Sequence, residues 1–190
     1  ALCALGNGYF VTRGAALESN ASEYHYPGTY MAGVYNRIPT RIAGRTIYNE
    51  DLVNCPNWLN LTFRIDDDED WFCPSTTRVL SFEQELNMKK GLLSRVIKVQ
   101  NWKGQITLIK TFMAVHMAEP HLGFLQYNIT PVNYSGKISV RSSLDGSVQN
   151  TGVERYRKLN SKHWKIMKKG TFSGGGLFIK TAASHYDIQF

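Results

Sequence analysis

Apolar residues recur at every second position in segment after segment of this chain, and no segment of about a dozen residues keeps a 3.6-residue period. Side chains alternate across a strand, so a period of two marks half-buried β structure. Leu93, Arg95, Ile97 and Val99 alternate with Ser94, Val96, Lys98 and Gln100. The turn Asn101-Trp102-Lys103-Gly104 follows, and Gln105 to Met117 then runs as a long strand with Ile106, Leu108, Phe112 and Ala114 on one face. Two apolar runs joined by four turn residues ending in Gly predict a hairpin. Gly123 to Pro131 reads as the next strand, rich in aromatic and β-branched residues. After the turn Asn133-Tyr134-Ser135-Gly136, Ile138, Val140 and Leu144 resume the alternation. Trp164 to Phe172 and Leu177 to Thr181, joined by Ser173-Gly174-Gly175-Gly176, predict two more strands, and Leu59–Ile65 and Val79–Leu86 fill the earlier gap. Many strands at short spacing predict two packed antiparallel sheets or a barrel. Several strands carry apolar residues on both faces, as in sheets that pack on another layer or another domain.

At 190 residues with 43% hydrophobic and 19% charged residues, the chain is long enough for one sizeable domain with a real core. It has no linker, low-complexity tract or internal repeat, no stretch of the roughly 18 apolar residues that a membrane helix needs, and no visible signal peptide. It starts at Ala1 and stops in strand-like Tyr186–Phe190, so both ends read as cuts in a longer polypeptide. Cys3, Cys55 and Cys73 share no ligand spacing and are read as reduced thiols, which places the protein in the cytoplasm. Four sequons, at Asn20, Asn60, Asn128 and Asn133, exceed the roughly two that chance would give in a chain rich in Asn, Ser and Thr, and the excess is read as noise, with secretion as the lesser alternative.

The formal charge of +7 permits anionic partners, and Arg155, Arg157, Lys158, Lys162, Lys165, Lys168 and Lys169 cluster around Tyr156, His163 and Trp164. With no RNP, KH or helix-turn-helix signature, the cluster is read as a solvated strand face beside a loop, and no nucleic-acid or membrane partner is expected.

Catalytic fingerprints are scarce. The chain has no P-loop, dinucleotide motif or G-x-S-x-G elbow. His116 and His121 flank Glu119-Pro120 in what reads as a loop or strand end rather than a metal site, and Asp66–Asp70 lacks the Gly and terminal Glu of a calcium loop. No metal ligand set and no cofactor is expected. Glycosidic cleavage needs a general acid, and Glu18, Glu23, Glu50 and Asp51 are the carboxylates of the aromatic N-terminal region. Arg13, Arg37, Arg41 and Arg45 could grip phosphate through their forked donors. Tyr24, Tyr26, Tyr30, Tyr35 and Trp58 offer flat faces of the kind that hold a pyranose ring. Hydrogen-bonded loop carboxylates, loop anchors and core aromatics are the competing readings of these three sets.

The opening Leu5-Gly6-Asn7-Gly8-Tyr9-Phe10-Val11-Thr12-Arg13-Gly14, followed by Tyr26-Pro27-Gly28-Thr29-Tyr30-Met31-Ala32-Gly33-Val34-Tyr35-Asn36, resembles the start of the N-terminal domain of glycoside hydrolase family 65. Val53-Asn54-Cys55-Pro56-Asn57-Trp58-Leu59 and Leu86-Asn87-Met88-Lys89-Lys90-Gly91-Leu92-Leu93 are similar to later family segments, with Asn87 where aspartate is usual. So are Thr107 to Ala114, Asn128–Asn133 and Leu144–Asn150, in the family's order.

The resemblance implies an all-β domain over residues 1–190, a large antiparallel β-sandwich of the galactose-mutarotase kind called a supersandwich. The family's sandwich is longer, so some of its strands are expected to lie outside this chain. A helical linker and an (α/α)6 barrel follow it in the family, and the barrel carries the general acid and the phosphate site. The parent enzyme would act on a disaccharide such as maltose, trehalose or kojibiose, by hydrolysis or by inverting phosphorolysis with phosphate as co-substrate. This chain has no barrel, so it holds no catalytic residue of its own and is expected to be inactive alone. Its partners would be its own barrel, a second copy in a homodimer and, through the barrel, the disaccharide. Tyr26, Tyr30, Tyr35, Asn36, Arg37 and Arg41 are the expected substrate-rim or interdomain contacts. A free-standing carbohydrate-binding β-sandwich is the alternative.

Overall fold

The strand-forming pattern is realised in full. The computed structural model describes residues 3–22, 24–66, 68–151 and 158–183. Among these it has thirteen strands and no helix, and therefore no helix that could cross a membrane. They are β1 (Leu5–Gly6), β2 (Phe10–Thr12), β3 (Thr29–Met31), β4 (Tyr35–Ile42), β5 (Arg45–Leu52), β6 (Asn57–Ile65) and β7 (Arg78–Asn87). Then come β8 (Leu92–Gln100), β9 (Ile106–Val115), β10 (Gly123–Pro131), β11 (Ile138–Asp145), β12 (Trp164–Phe172) and β13 (Gly176–Ala183). The described residues form two compact units, one built from the segment up to Ser19 plus Leu59–Ser142, the other from Asn20–Trp58 plus the chain from Ser143 onward.

The first unit is organised on an antiparallel four-stranded meander in the order β10-β9-β8-β7. Its inner face buries Leu93, Ile97 and Val99 of β8 and Ile109, Met113 and Val115 of β9. These are the odd positions, while Ile106, Leu108, Phe112 and Ala114 line the half-buried opposite face. β6 pairs with β11 and forms the second layer, where Phe63 and Ile65 join Ile97, Val99 and Ile109 in one cluster flanked by Phe72, Tyr127, Ile129 and Tyr134. Full burial of each such side chain stabilises the fold by roughly 1.5–3 kcal/mol. Sheet layers packed through facing apolar strands make this unit a sandwich, with no closed barrel.

One charge sits on that inner face. Arg95 occupies an inward position of β8 and clamps Glu18 in a fork, Nη1 donating to Oε2 at 2.9 Å and Nη2 to Oε1 at 2.5 Å. Tyr127 of β10 donates its hydroxyl to the same Oε1 at 2.7 Å. The Glu18 side chain is fully buried and that of Arg95 nearly so. Burial, and then the negative charge of Glu18, hold the Tyr127 hydroxyl far above the usual phenol range, so it stays a donor.

Asn7 fastens the β1–β2 hairpin. Its Oδ1 accepts from the backbone N–H groups of Tyr9 and Phe10 at 3.1 and 3.0 Å. Its Nδ2 donates to the carbonyls of His116 and Pro120 at 2.8 and 3.0 Å, in the β9–β10 connection. In that connection the His116 Nδ1 accepts the Glu119 N–H at 2.7 Å and His121 packs edge-on to Tyr9.

The second unit contains the hairpins β4–β5 and β12–β13. Its core joins Val34, Val53, Cys55, Val148 and Trp164, with Met31 and Ala183 against them. Burial pushes the Cys55 thiol up to about 11, and the chain's three cysteines are free. Asn54 is the polar hub. Its Oδ1 accepts the Thr29 N–H at 3.0 Å, its Nδ2 donates to the Pro27 carbonyl at 3.2 Å, and its own carbonyl accepts the Trp164 indole N–H at 2.7 Å. Nearby, Nδ2 of the buried Asn36 stands 3.2 Å from Nδ1 of the buried His163, whose Nε2 faces Asp51 Oδ2 at 3.4 Å. With the amide donating to Nδ1, the ring proton sits on Nε2, toward Asp51. Burial lowers the pKa of His163 from 6.5, and Asp51 only partly opposes this.

The basic cluster divides. His163 and Trp164 are core residues, whereas Lys165, Lys168 and Lys169 of β12 are exposed as expected. Arg155, Tyr156 and Arg157 lie outside the described residues.

Two stability outcomes follow from the buried polar groups. Glu18→Gln should cost about 3–5 kcal/mol, because it leaves the Arg95 guanidinium buried without its counter-charge, and Glu18→Gln with Arg95→Met should recover much of that loss. Urea unfolding checks both, and a Glu18→Gln midpoint equal to that of the parent would contradict the clamp. For His163 the unfolded chain binds the proton more readily than the fold does. Stability is therefore complete above about pH 6.5 and falls as the pH drops through the lower folded value. A non-titrating His163→Gln variant should lose less stability between pH 7.5 and 5 than the parent, and parallel pH profiles would rule the effect out.

Candidate functional site

The six residues expected to meet substrate or a second domain all lie in the second unit, on its strands β3 and β4 and the segment before them. The segment that carries four of them is more regular than its composition implies. Asn and Pro are poor strand formers, yet Tyr35–Ile42 pairs with Arg45–Leu52 along its whole length. The pairing is set by the two-residue turn Ala43-Gly44, with φ of 48° and 77°. Positive φ at both central residues is the type I′ geometry whose twist matches that of the strands it joins.

Register then sorts the side chains. Tyr35, Arg37, Pro39 and Arg41 face one way, opposite Leu52, Glu50, Tyr48 and Thr46. This face is exposed, with Tyr35 48% and Tyr48 51% accessible. The Arg37 guanidinium lies over the Tyr48 ring, 4.8 Å from its centroid. Such stacking fixes an arginine in place while leaving its donors free to bind outward. Pro39, which has no N–H to donate, is tolerated on a strand of this two-stranded ribbon.

Asn36 points the other way, into the unit, toward His163. It cannot contact a partner. Tyr26 and Tyr30 form a separate half-buried pair. Tyr30 donates its hydroxyl to that of Tyr26 at 3.3 Å, and Tyr26 donates to the Gln149 carbonyl at 3.4 Å. Gly28 makes the pair possible, since a Cβ there would stand 2.9 Å from the Tyr30 ring. Of the six residues, Tyr35, Arg37 and Arg41 thus share one accessible surface. Tyr48 belongs with them, and it becomes legible once Ala43-Gly44 is read as a hairpin turn.

Two of the four candidate carboxylates, Glu18 and Asp51, are engaged within the domain. Glu18 is held by Arg95 and Tyr127. Asp51 accepts from Asn49 Nδ2 at 2.6 Å and faces His163. Glu50 stands across from Arg37 on the open face, and Glu23 lies outside the described residues. A general acid needs a proton to give and an open path to substrate. The buried Glu18, which accepts three hydrogen bonds from Arg95 and Tyr127, has no such path.

A cleft of about 830 Å³ in the first unit went unnoticed in the sequence. It lies between the β6–β7 connection and the β8–β9 turn, with Trp71 and Trp102 in its lining.

Residues 1–190 match the profile described as glycosyl hydrolase family 65, N-terminal domain. An uncharacterized glycosyl hydrolase of Mycobacterium tuberculosis is 47% identical over 163 residues, which cover 86% of this chain and 12% of that protein. Trehalose 6-phosphate phosphorylase of Lactococcus lactis subsp. lactis is 36% identical over 187 residues, 98% of this chain and 23% of that protein. Kojibiose phosphorylase of Caldanaerobacter subterraneus subsp. tengcongensis is 32% identical over 183 residues, 96% of this chain and 22% of that protein. The chain therefore spans less than a quarter of the length of each of these relatives. Together with the all-β architecture, the match over residues 1–190 makes this chain an N-terminal domain of glycosyl hydrolase family 65.

Proposed function

We propose that this chain is the non-catalytic N-terminal β-sandwich of a cytoplasmic enzyme that phosphorolyses an α-glucosidic disaccharide of the trehalose, kojibiose or maltose type. The observation that carries this reading is the similarity along nearly the whole chain to phosphorylases named for those sugars. In such a reaction phosphate attacks the anomeric carbon, the glycosidic bond breaks, and a general acid protonates the leaving oxygen. The acid and the phosphate site belong to a separate (α/α)6 barrel, in keeping with the internal engagement of Glu18 and Asp51.

The domain's part is to support that barrel and to present the β4–β5 face to it or to a second subunit. Exposed tyrosine and arginine are the side-chain types that dominate interface energetics, and here a rigid hairpin fixes their spacing.

Incubation of the intact protein with each disaccharide, with and without inorganic phosphate, tests the reading. Phosphate-dependent release of glucose 1-phosphate is expected from the intact protein and none from residues 1–190 alone. Release of free glucose without phosphate, or turnover by the isolated chain, would overturn it. In the intact enzyme, Tyr35→Ala and Arg37→Ala should each lower activity or subunit affinity by about fivefold to tenfold, the loss of roughly 1 kcal/mol at a contact residue. Both side chains are exposed, so the melting temperature of the domain should hardly move. Full activity with normal assembly in both variants would remove the hairpin from the interface.

A further inference from the structure

We infer that the cleft of the first unit is a saccharide site and that Trp102 is its stacking platform for a short chain of neutral hexoses. The inference rests on the turn that carries Trp102, the chemistry of the lining, and its balance of charge.

Trp102 sits at the tip of the β8–β9 hairpin with 85% of its surface exposed. An indole that exposed offers a large flat face, apolar across the ring and polar at its N–H, to a ligand. The turn beneath it is rigid. Asn101 Oδ1 accepts the N–H groups of Lys103 and Gln105 at 3.1 and 3.0 Å, and its Nδ2 donates to Gln105 Oε1 at 2.7 Å. The Asn101 carbonyl accepts the Gly104 N–H at 3.0 Å. An indole held out on a fixed turn is pre-organised, so little conformational freedom is lost when a ring stacks on it.

The opposite wall is also fixed. Phe72 N–H donates to the Phe63 carbonyl at 2.8 Å, and Thr62 Oγ1 donates to the Phe72 carbonyl at 2.7 Å. Lys103 Nζ reaches Asp68 Oδ1 at 2.5 Å and ties the two walls together. The guanidinium groups of Arg64 and Arg141 lie 5.0 and 4.4 Å from the Trp71 ring centroid, whereas Trp102 has a single cation, Lys103 Nζ at 5.0 Å from its centroid, and keeps 85% of its surface accessible to a stacking ring. The volume, about 830 Å³, is that of a small-molecule site.

The lining specifies the ligand class. Arg64, Arg78 and Lys103 are matched by Asp68, Glu69 and Asp70, three cations against three anions, which favours no net charge on the ligand. Gln100, Thr76 and Thr77 add neutral donors and acceptors. The buried Nε of Arg64 has no hydrogen-bond acceptor among the described residues. A hexose offers hydroxyls to such groups and apolar C–H faces to an indole. A nucleotide or sugar phosphate would require a surplus of cations that the cleft lacks.

The site uses neither the β4–β5 face nor the candidate acids Glu18, Glu23, Glu50 and Asp51, so it stands or falls apart from the phosphorolysis reading. Calorimetric titration of maltotriose into the intact protein, with phosphate withheld, tests it. One binding event per chain should weaken by about tenfold or more in Trp102→Ala, equivalent to some 1.4 kcal/mol, and be largely retained in Trp102→Phe. Disaccharide turnover should be unchanged in both. Trp102 is exposed, so the alanine variant should keep the parent's melting temperature. An unchanged isotherm for Trp102→Ala would overturn the proposal. So would parallel losses of binding and turnover, which would make Trp102 a contact to the catalytic part. Preferential binding of glucose 6-phosphate over maltotriose would overturn the neutral-sugar assignment.

Discussion

A guanidinium buried on the inner face of β8 is the constraint around which the first unit is arranged. An ion pair inside a protein is tolerable only when its geometry is good and its remaining lone pairs are satisfied. Glu18 meets the fork of Arg95 with both oxygens, and Tyr127 takes up a further lone pair. That requirement brings an N-terminal residue, β8 and β10 to one point, across 77 and 109 positions of sequence. The buried Leu17 beside it, whose carbonyl accepts the Leu61 N–H, is anchored by the same arrangement. Apolar clusters tolerate shifts in register far better than a bidentate pair does. The second unit answers the same problem with neutral groups, the Asn54 hub and the Asn36–His163 contact.

Much of the strand order could be read from the alternation, because β6, β8 and β9 bury one face and leave the other partly open, and that contrast is written at nearly every second residue. Gly123–Pro131 is a strand with those bounds. The β4–β5 hairpin was not legible. Neither of its faces is uniformly apolar, since Asn36 and Asp51 occupy one and Arg37 and Glu50 the other. Its turn uses Ala43 where Asn or Gly would announce itself. The role of Glu18 was hidden for another reason, as nothing local says that a carboxylate has an arginine waiting on a distant strand. His163 and Trp164 were masked by the lysines beside them, although the alternation that places Lys165 outward leaves Trp164 facing in.

The candidate contact surface was partly visible. Residue type alone singled out Tyr35, Arg37 and Arg41, but it also swept in Asn36, which sits between two of them and faces the interior. Only register separates them, and register depends on the turn. The β4–β5 hairpin displays aromatic and cationic groups together on one exposed face. The relatives of this chain are named for several different sugars, and one fold commonly hosts more than one specificity.

The attachment of Asn7 carries a chemical cost over time. Asn followed by Gly is the dipeptide most prone to lose its side-chain amide, through attack of the glycine nitrogen on the side-chain carbonyl. Here the carbonyl is held by two backbone N–H groups and the amide nitrogen by two backbone carbonyls, which restrains that approach. Once the amide is gone, the position holds a carboxylate. Its oxygen then confronts the carbonyls of His116 and Pro120, which the nitrogen had contacted at 2.8 and 3.0 Å, and attraction becomes repulsion. The two bonds that tie the β1–β2 hairpin to the β9–β10 connection are therefore the ones that deamidation of Asn7 would remove.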